Sequence, residues 1–62
     1  MITEEEWELV EKRIEAMPEH MRIAILGRVY TKEELLNEVR ARSEVGEIVA
    51  RMQLRYLRYF RG

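Results

Sequence analysis

The residues with the clearest chemical potential lie near the C-terminus, where arginines alternate with aromatic residues. Positions 55–61 read Arg-Tyr-Leu-Arg-Tyr-Phe-Arg, and no acidic residue follows Glu47. Guanidinium groups bind phosphate oxygens, and exposed aromatic rings stack on the bases of single-stranded RNA. This pattern predicts a nucleic-acid-binding surface. The predicted binding residues are Arg51, Arg55, Arg58, Tyr59 and Arg61.

The same segment also has a purely structural interpretation, in which Tyr56 and Phe60 are core residues and the arginines are solvated or paired within the chain. Charge is distributed unevenly along the sequence. Residues 1–21 hold seven glutamates and two basic residues, whereas residues 39–62 hold six arginines and two glutamates. This asymmetry indicates either an internal match between the two ends or a basic end that meets an acidic partner.

Spacing along the predicted C-terminal helix also suggests local ion pairs. Glu47 precedes Arg51 by four residues, and Glu38 precedes Arg42 by four residues. Opposite charges at this spacing face each other on a helix, so we predict both pairs.

Residues that could support catalysis or metal binding are isolated from one another. His20 is the single histidine, the chain has no cysteine, and Ser43 has no neighbouring base. The glutamates at positions 4–8 fit a solvated helix start better than a metal site, and the three glycines are scattered. We therefore predict no enzymatic activity, no cofactor, no metal and no small-molecule substrate.

Two capping-box patterns in the sequence predict two helix starts. Thr3 with Glu6, and Thr31 with Glu34, match the pattern in which a threonine caps the helix and a glutamate three residues later completes the box. After the first start, the apolar positions form a narrow seam at helical spacing, which predicts a helix lying on the surface of the core. These positions are Trp7, Val10, Ile14 and Met17.

The rest of the chain leaves two structural questions open. Residues 32–60 read as one long helix or as two helices with a break near Ser43, where Ser43 caps the second helix and Gly46 weakens a continuous one. Residues 21–26 alternate like a strand, but Pro18 and Gly27 fit the ends of a short helix, which we favour. The prediction is one small all-α domain spanning residues 1–62, with a short N-terminal helix, a short middle segment and a long C-terminal helix.

A homodimer follows from the width of the apolar surface on the C-terminal helix. As one helix, residues 32–60 place apolar side chains over about half of the circumference, more than one packing partner covers. A chain of 62 residues has little else to cover them, although a compact three-helix monomer is the alternative. The predicted interface residues are Val45, Ile48, Val49, Met52, Tyr56 and Phe60.

Two resemblances supply alternative functions. If residues 22–26 form a strand, the order strand, helix, helix over residues 22–57 resembles the ribbon-helix-helix family of dimeric DNA-binding proteins. If they form a helix, residues 30–39 and 43–57 resemble the helices of a helix-turn-helix. Either resemblance implies a transcription regulator. Its recognition helix, in the helix-turn-helix case, begins Glu44-Val45-Gly46-Glu47, with two acids facing DNA.

The function we expect is that of a non-enzymatic, dimeric adaptor that binds a ribosome or another nucleoprotein through its arginine- and tyrosine-rich C-terminal helix. The DNA-binding regulator is one alternative, and a pure protein–protein interaction module is another. The acidic start does not resemble a signal peptide, and no apolar run approaches the roughly 20 residues that span a bilayer. We therefore expect a cytoplasmic protein without a membrane partner.

The choice of charged residues points to a heat-adapted organism. All twelve acidic residues are glutamates and nine of the eleven basic residues are arginines. Thermophilic proteins are rich in charged residues and poor in thermolabile ones. A chain rich in helix has an independent preference for glutamate and arginine.

Overall fold

The chain folds as a helix, a β-hairpin and two further helices. In order, the elements are α1 (Glu4–Glu15), β1 (Arg22–Ile25), β2 (Arg28–Thr31), α2 (Lys32–Ala41) and α3 (Glu44–Phe60). The structure is a computed structural model that describes residues 1–60, with side chains up to residue 57.

Both predicted capping boxes are confirmed, and they fix the starts of α1 and α2. The amide of Glu6 donates to Thr3 Oγ1 at 3.1 Å, and the amide of Thr3 donates to Glu6 Oε1 at 2.9 Å. Thr31 and Glu34 make the same reciprocal pair at 3.1 and 2.8 Å. Each box gives partners to two amides that a helix start otherwise leaves without one.

The prediction of an all-α fold is wrong, because the middle segment is a strand and not a short helix. β1 and β2 pair antiparallel, with Ile23 opposite Tyr30 and Ile25 opposite Arg28. The alternation of Met21, Ile23 and Ile25 was therefore a true strand signal. Ile25 is buried under the hairpin and Ile23 is partly buried on the same face.

The hairpin depends on its two-residue turn, Leu26-Gly27. Both residues have positive φ angles, 52° at Leu26 and 80° at Gly27. Two positive φ angles are what a type I′ turn requires, and this turn matches the twist of the two strands. Gly27 therefore reverses the chain and does not end a helix. A leucine is an unusual first turn residue, which is why the sequence pattern concealed the hairpin.

Residues 32–60 form two helices, so the alternative with a break near Ser43 is correct. Arg42 adopts the left-handed conformation with φ 52° and ends α2. The amide of Ser43 donates to the Glu38 carbonyl at 3.2 Å, and the amide of Arg42 donates to the Val39 carbonyl at 3.1 Å. These two bonds form a Schellman motif. Ser43 Oγ then accepts from the amide of Gly46 at 3.0 Å and caps α3, as predicted.

Gly46 lets α3 pack directly on the backbone of α2. A Cβ atom at Gly46 would stand 2.2 Å from the Glu38 carbonyl oxygen and 2.7 Å from its carbon. The two helices therefore approach so closely that no side chain fits at this position. The core behind this contact holds side chains from every element, namely Val10, Ile14, Ile25, Tyr30, Leu35, Val39, Val49 and Ala50.

Gly46→Ala is expected to destabilise the fold by about 2 kcal/mol, because the new methyl group overlaps the Glu38 backbone and overpacking typically costs 1–3 kcal/mol. In a free helix the same change stabilises by about 1 kcal/mol, so the sign of the effect reports the contact. Urea unfolding followed by circular dichroism measures it. Asn37→Ala, exposed on α2, is the control and should leave stability unchanged or slightly raised. An alanine at position 46 that stabilises the protein would contradict the close approach.

Candidate functional site on the outward face of helix α3

Two arginines at the C-terminal end of α2, Arg40 and Arg42, pair with acidic residues of α1. Arg40 donates from Nε to Glu11 at 2.9 Å and from Nη2 to Glu15 at 3.1 Å. Arg42 forms a two-pronged ion pair with Glu4. The internal match suggested by the charge asymmetry therefore exists between these two helices.

These contacts shift the proton equilibria of the groups that make them. The hydrogen bond from Arg42 holds the pKa of the Glu4 carboxyl below its usual value of 4.5. The hydrogen bond with Glu11 raises the pKa of Arg40 above its ordinary value. Arg42 also lies over the Trp7 ring, 5.3 Å from its centroid. Arg42 thus ties the turn between α2 and α3 to the first turns of α1.

The arginines of α3 that the structure describes do not pair with α1, unlike Arg40 and Arg42. Arg51 and Arg55 are exposed one helical turn apart, and we call them the basic row. Arg51 Nη2 donates to Glu47 Oε1 at 2.6 Å, so the predicted pair within α3 is confirmed. Among the side chains that the structure describes, no carboxylate pairs with Arg55 and no α1 carboxylate pairs with Arg51.

The predicted pair between Glu38 and Arg42 is wrong. Because Arg42 is left-handed and ends α2, its side chain leaves the helical position that would face Glu38. It binds Glu4 instead, while the Glu38 carboxylate accepts from the hydroxyl of Ser43.

An apolar row runs beside the basic row along α3. It consists of Ile48, Met52 and Tyr56, which follow one another at intervals of four residues and share one side of the helix. Met52 is 51% exposed and Tyr56 is 53% exposed, while Ile48 is partly buried. Arg13 of α1 reaches this row from one side. Its guanidinium lies 5.4 Å from the centre of the Tyr56 ring, and its Nε donates to Gln53 Oε1 at 2.9 Å.

An open groove of about 690 Å³ lies along this face. Residues of the N-terminal segment and of α3 line it, including both arginines of the basic row. The lining residues are Met1, Ile2, Glu6, Ile48, Arg51, Met52, Leu54 and Arg55. Apolar and basic side chains therefore meet in one concave surface.

The predicted interface residues are divided between the core and this face. Val49 is only 3% exposed and packs inside the single chain, and Val45 and Ile48 are partly buried. Met52 and Tyr56 are the two whose side chains are half exposed. The structure describes a single chain, so the predicted dimer stays a prediction.

Four predicted residues occupy positions 58–61 of the sequence. The side chains of Arg58, Tyr59 and Phe60, and the whole of Arg61, lie outside the described part of the chain. The nucleic-acid-binding prediction is therefore placed on the structure only through Arg51 and Arg55, both of which are exposed.

Sequence reasoning missed the contribution of α1 to this face. The groove-lining residues Met1, Ile2 and Glu6, and the contact of Arg13 with Tyr56, come from a part of the chain far from α3 in sequence. One local signal for the buried side was available. Gly46 and Ala50 are small residues four positions apart, a spacing that marks a side of close helix packing.

Other candidate chemistry is dispersed. In residues 1–57, no three histidine, cysteine, aspartate or glutamate side chains come together as potential metal ligands. His20 is exposed after α1, and the hydroxyl of Ser43 is engaged in the cap of α3. Within the described range, no helix has the length and apolarity needed to cross a membrane.

Comparisons with family models, curated proteins and solved structures find no match for this chain. Function is therefore inferred from its own residues.

The contribution of the Glu4–Arg42 pair to stability should depend on pH. Because the pKa of Glu4 is lowered in the folded state, the pair stabilises the fold above pH 4.5 and this stabilisation is lost as the pH falls. Glu4→Gln should lower the melting temperature at pH 7 and lower it less at pH 3. Glu5→Gln, which leaves the pair in place, is the matched control. An equal effect of Glu4→Gln at both pH values would show that the ion pair does not stabilise the fold.

Proposed function

We propose that this protein is a non-enzymatic adaptor that binds the phosphate groups of RNA, in a ribosome or another nucleoprotein, through the basic row of α3. The observation that supports this proposal is that the arginines differ in whether they pair with carboxylates of α1. Arg40 and Arg42 are neutralised by carboxylates of α1, whereas Arg51 and Arg55 have no α1 carboxylate among the described side chains.

The chemistry of the basic row suits a phosphate backbone. A guanidinium has five N–H donors in a planar fork, so Arg51 can keep its bond to Glu47 and still donate to a phosphate oxygen. Charge-assisted bonds of this kind are about twice as strong as neutral ones. Arg58 and Arg61 extend the same run of basic residues along the sequence.

Aromatic and apolar side chains next to the basic row would contribute contacts with bases. Tyr56 presents about half of its surface to solvent, one turn after Met52 and directly after Arg55 in the chain. Bases of single-stranded RNA stack on aromatic rings, whereas the bases of a duplex are already stacked. Single-stranded RNA is therefore the preferred ligand in this proposal.

A protein–protein interaction module is the second candidate, because most of the residues that line the groove are apolar. Ile48 and Met52 line it together with Met1 and Ile2. An apolar groove can hold the apolar face of a partner helix. In that case the arginines would form only a polar rim, and binding would depend little on salt.

The DNA-binding alternatives find less support in the geometry. The outward face of the hairpin consists of Arg22, Ala24, Val29 and Thr31. Arg22 is the one basic residue among these four. The first turn of α3 carries Glu44 and Glu47, which would face the DNA in a helix-turn-helix. The hairpin could contact few bases, and the two glutamates would repel phosphates. A DNA-binding regulator is therefore not proposed as the main function.

The double variant Arg51→Gln/Arg55→Gln tests the RNA proposal. Fluorescence anisotropy with a labelled 20-nucleotide single-stranded RNA, repeated over a salt series, gives the affinity and its salt dependence. Loss of two phosphate contacts should weaken binding about tenfold or more at low salt. The slope of log K against log salt should become shallower by about 1.4, since each contact to a single strand contributes about 0.7.

The control variant is Arg22→Gln/Arg28→Gln, which removes the same charge from the hairpin and should bind RNA with an affinity close to that of the original chain. Equal losses in both double variants would show a general charge effect and contradict the proposal. Salt-independent binding would support the protein–protein module, and preference for a duplex DNA sequence over RNA would support the regulator. Either result would overturn the proposal.

A further inference from the structure

The outer edge of β1 carries backbone hydrogen-bonding groups that the hairpin does not use. The sheet has two strands, and the pair Ile25–Arg28 closes the hairpin around its turn. In an antiparallel pair the residues exchange hydrogen bonds at every second position, so Ile25 and Ile23 bond to β2. The amides and carbonyls of Arg22 and Ala24 therefore point away from β2. Within the described part of the chain, no backbone group outside the hairpin bonds to them.

The outer edge of β2 is shorter, because the start of α2 uses part of it. The amide of Thr31 donates to Glu34 Oε1 at 2.8 Å in the capping box, and α2 begins at the next residue. Val29 is the other residue of β2 whose backbone points outward. Edge strands are commonly blocked by a proline, a bulge or an inward-pointing charge, and β1 has none of these. The edge of β1 is thus the one open to a further strand.

A second copy of β1, running antiparallel, satisfies these backbone groups in one register. When Arg22 of each copy lies opposite Ala24 of the other, the outward groups of both strands form four hydrogen bonds and none is left over. A shift of two residues places Arg22 opposite Arg22, or Ala24 opposite Ala24, and keeps only two of these bonds. The edge is therefore complementary to itself, as a two-fold interface requires.

The side chains agree with this register. On the side that packs on the core, Ile23 lies opposite Ile23, and Met21 lies opposite Ile25 of the second copy, so apolar residues face each other throughout. On the outward side Arg22 lies opposite Ala24, so no like charges are directly opposed. The two Arg22 side chains are diagonal across the axis. Each guanidinium donates to its own Met21 carbonyl at 2.9 Å, on the side away from the axis.

We propose that a second copy of this chain pairs its β1 with this one, antiparallel and with the two-fold axis at Ile23, so that two hairpins form one four-stranded sheet. The helices of both copies then lie on the same side of this sheet, because Ile23 of each copy points to that side. The interface residues predicted from the sequence all lie on α3 and are not part of this pairing. This inference goes beyond the proposed function and does not depend on RNA binding.

Ala24→Pro tests the interface, because proline removes the outward amide and places a ring on the edge of β1. The hairpin tolerates the change, since proline is accepted at outward positions of edge strands. At roughly 200 µM, sedimentation equilibrium should show twice the 7.5 kDa of one chain for the original protein. For Ala24→Pro the dissociation constant should rise about 30-fold or more, since two of the four bonds are lost. Val29→Pro, the same change opposite Ala24 on the edge of β2, is the matched control and should remain dimeric.

A monomeric original chain would overturn the inference and leave the edge to an extended strand of a different protein. Equal dissociation constants for Ala24→Pro and Val29→Pro would also overturn it. Circular dichroism shows whether each variant is folded. Amide hydrogen exchange of the original chain needs no variant: the amides of Arg22 and Ala24 should be protected increasingly with concentration, and that of Val29 should not. Equally fast exchange at Ala24 and Val29 at every concentration would contradict the pairing.

The register can be read from disulfide formation, since the chain has no cysteine of its own. With the axis at Ile23, the two Ile23 Cα atoms are about 4.5 Å apart, as in any directly opposed pair without hydrogen bonds. The two Ala24 Cα atoms are more than about 7 Å apart, which is too far for a disulfide. Oxidised Ile23→Cys should therefore form several-fold more linked dimer than oxidised Ala24→Cys. The reverse order would place the axis elsewhere and overturn the proposed arrangement.

Discussion

The close approach of α3 to the backbone of α2 at Gly46 determines how the rest of the molecule is arranged. A Cβ at this position would stand 2.2 Å from the Glu38 carbonyl oxygen, so the contact exists only because residue 46 is a glycine. The left-handed Arg42 and the cap at Ser43 bring the two helices to this contact. Once it is made, Val49 and Ala50 point inward, and the opposite side of α3 is left to solvent.

The turn between α2 and α3 also determines which ion pairs form. Because Arg42 ends α2 in the left-handed conformation, its side chain reaches Glu4 and Trp7 of α1 and not Glu38. Arg40 binds two further carboxylates of α1. Most exposed ion pairs of this kind add little stability individually. These pairs use the carboxylates of Glu4, Glu11 and Glu15. Among the described side chains, Arg51 pairs only with Glu47 of its own helix and Arg55 pairs with no carboxylate.

Local patterns with their usual residues were predictable from the sequence, whereas an unusual turn residue and contacts between distant residues were not. The capping boxes at Thr3 and Thr31 each join residues three positions apart, so the pattern can be recognised in the sequence. The hairpin was not recognised because Leu26 occupies a left-handed turn position that usually holds asparagine, aspartate or glycine. Val49 and Met52 are equally apolar in sequence. Only the contact of Gly46 with Glu38 shows that Val49 is buried and Met52 exposed.

An NMR titration tests most directly whether the outward face of α3 is the binding surface of this protein. Isotope-labelled protein is titrated with a single-stranded RNA oligonucleotide while backbone amide and arginine side-chain resonances are followed. We expect the Nε signals of Arg51 and Arg55 and the amides around Met52 to move together and saturate. Shifts confined to the outward face of the hairpin, around Ala24 and Val29, or no shifts at all, would contradict it.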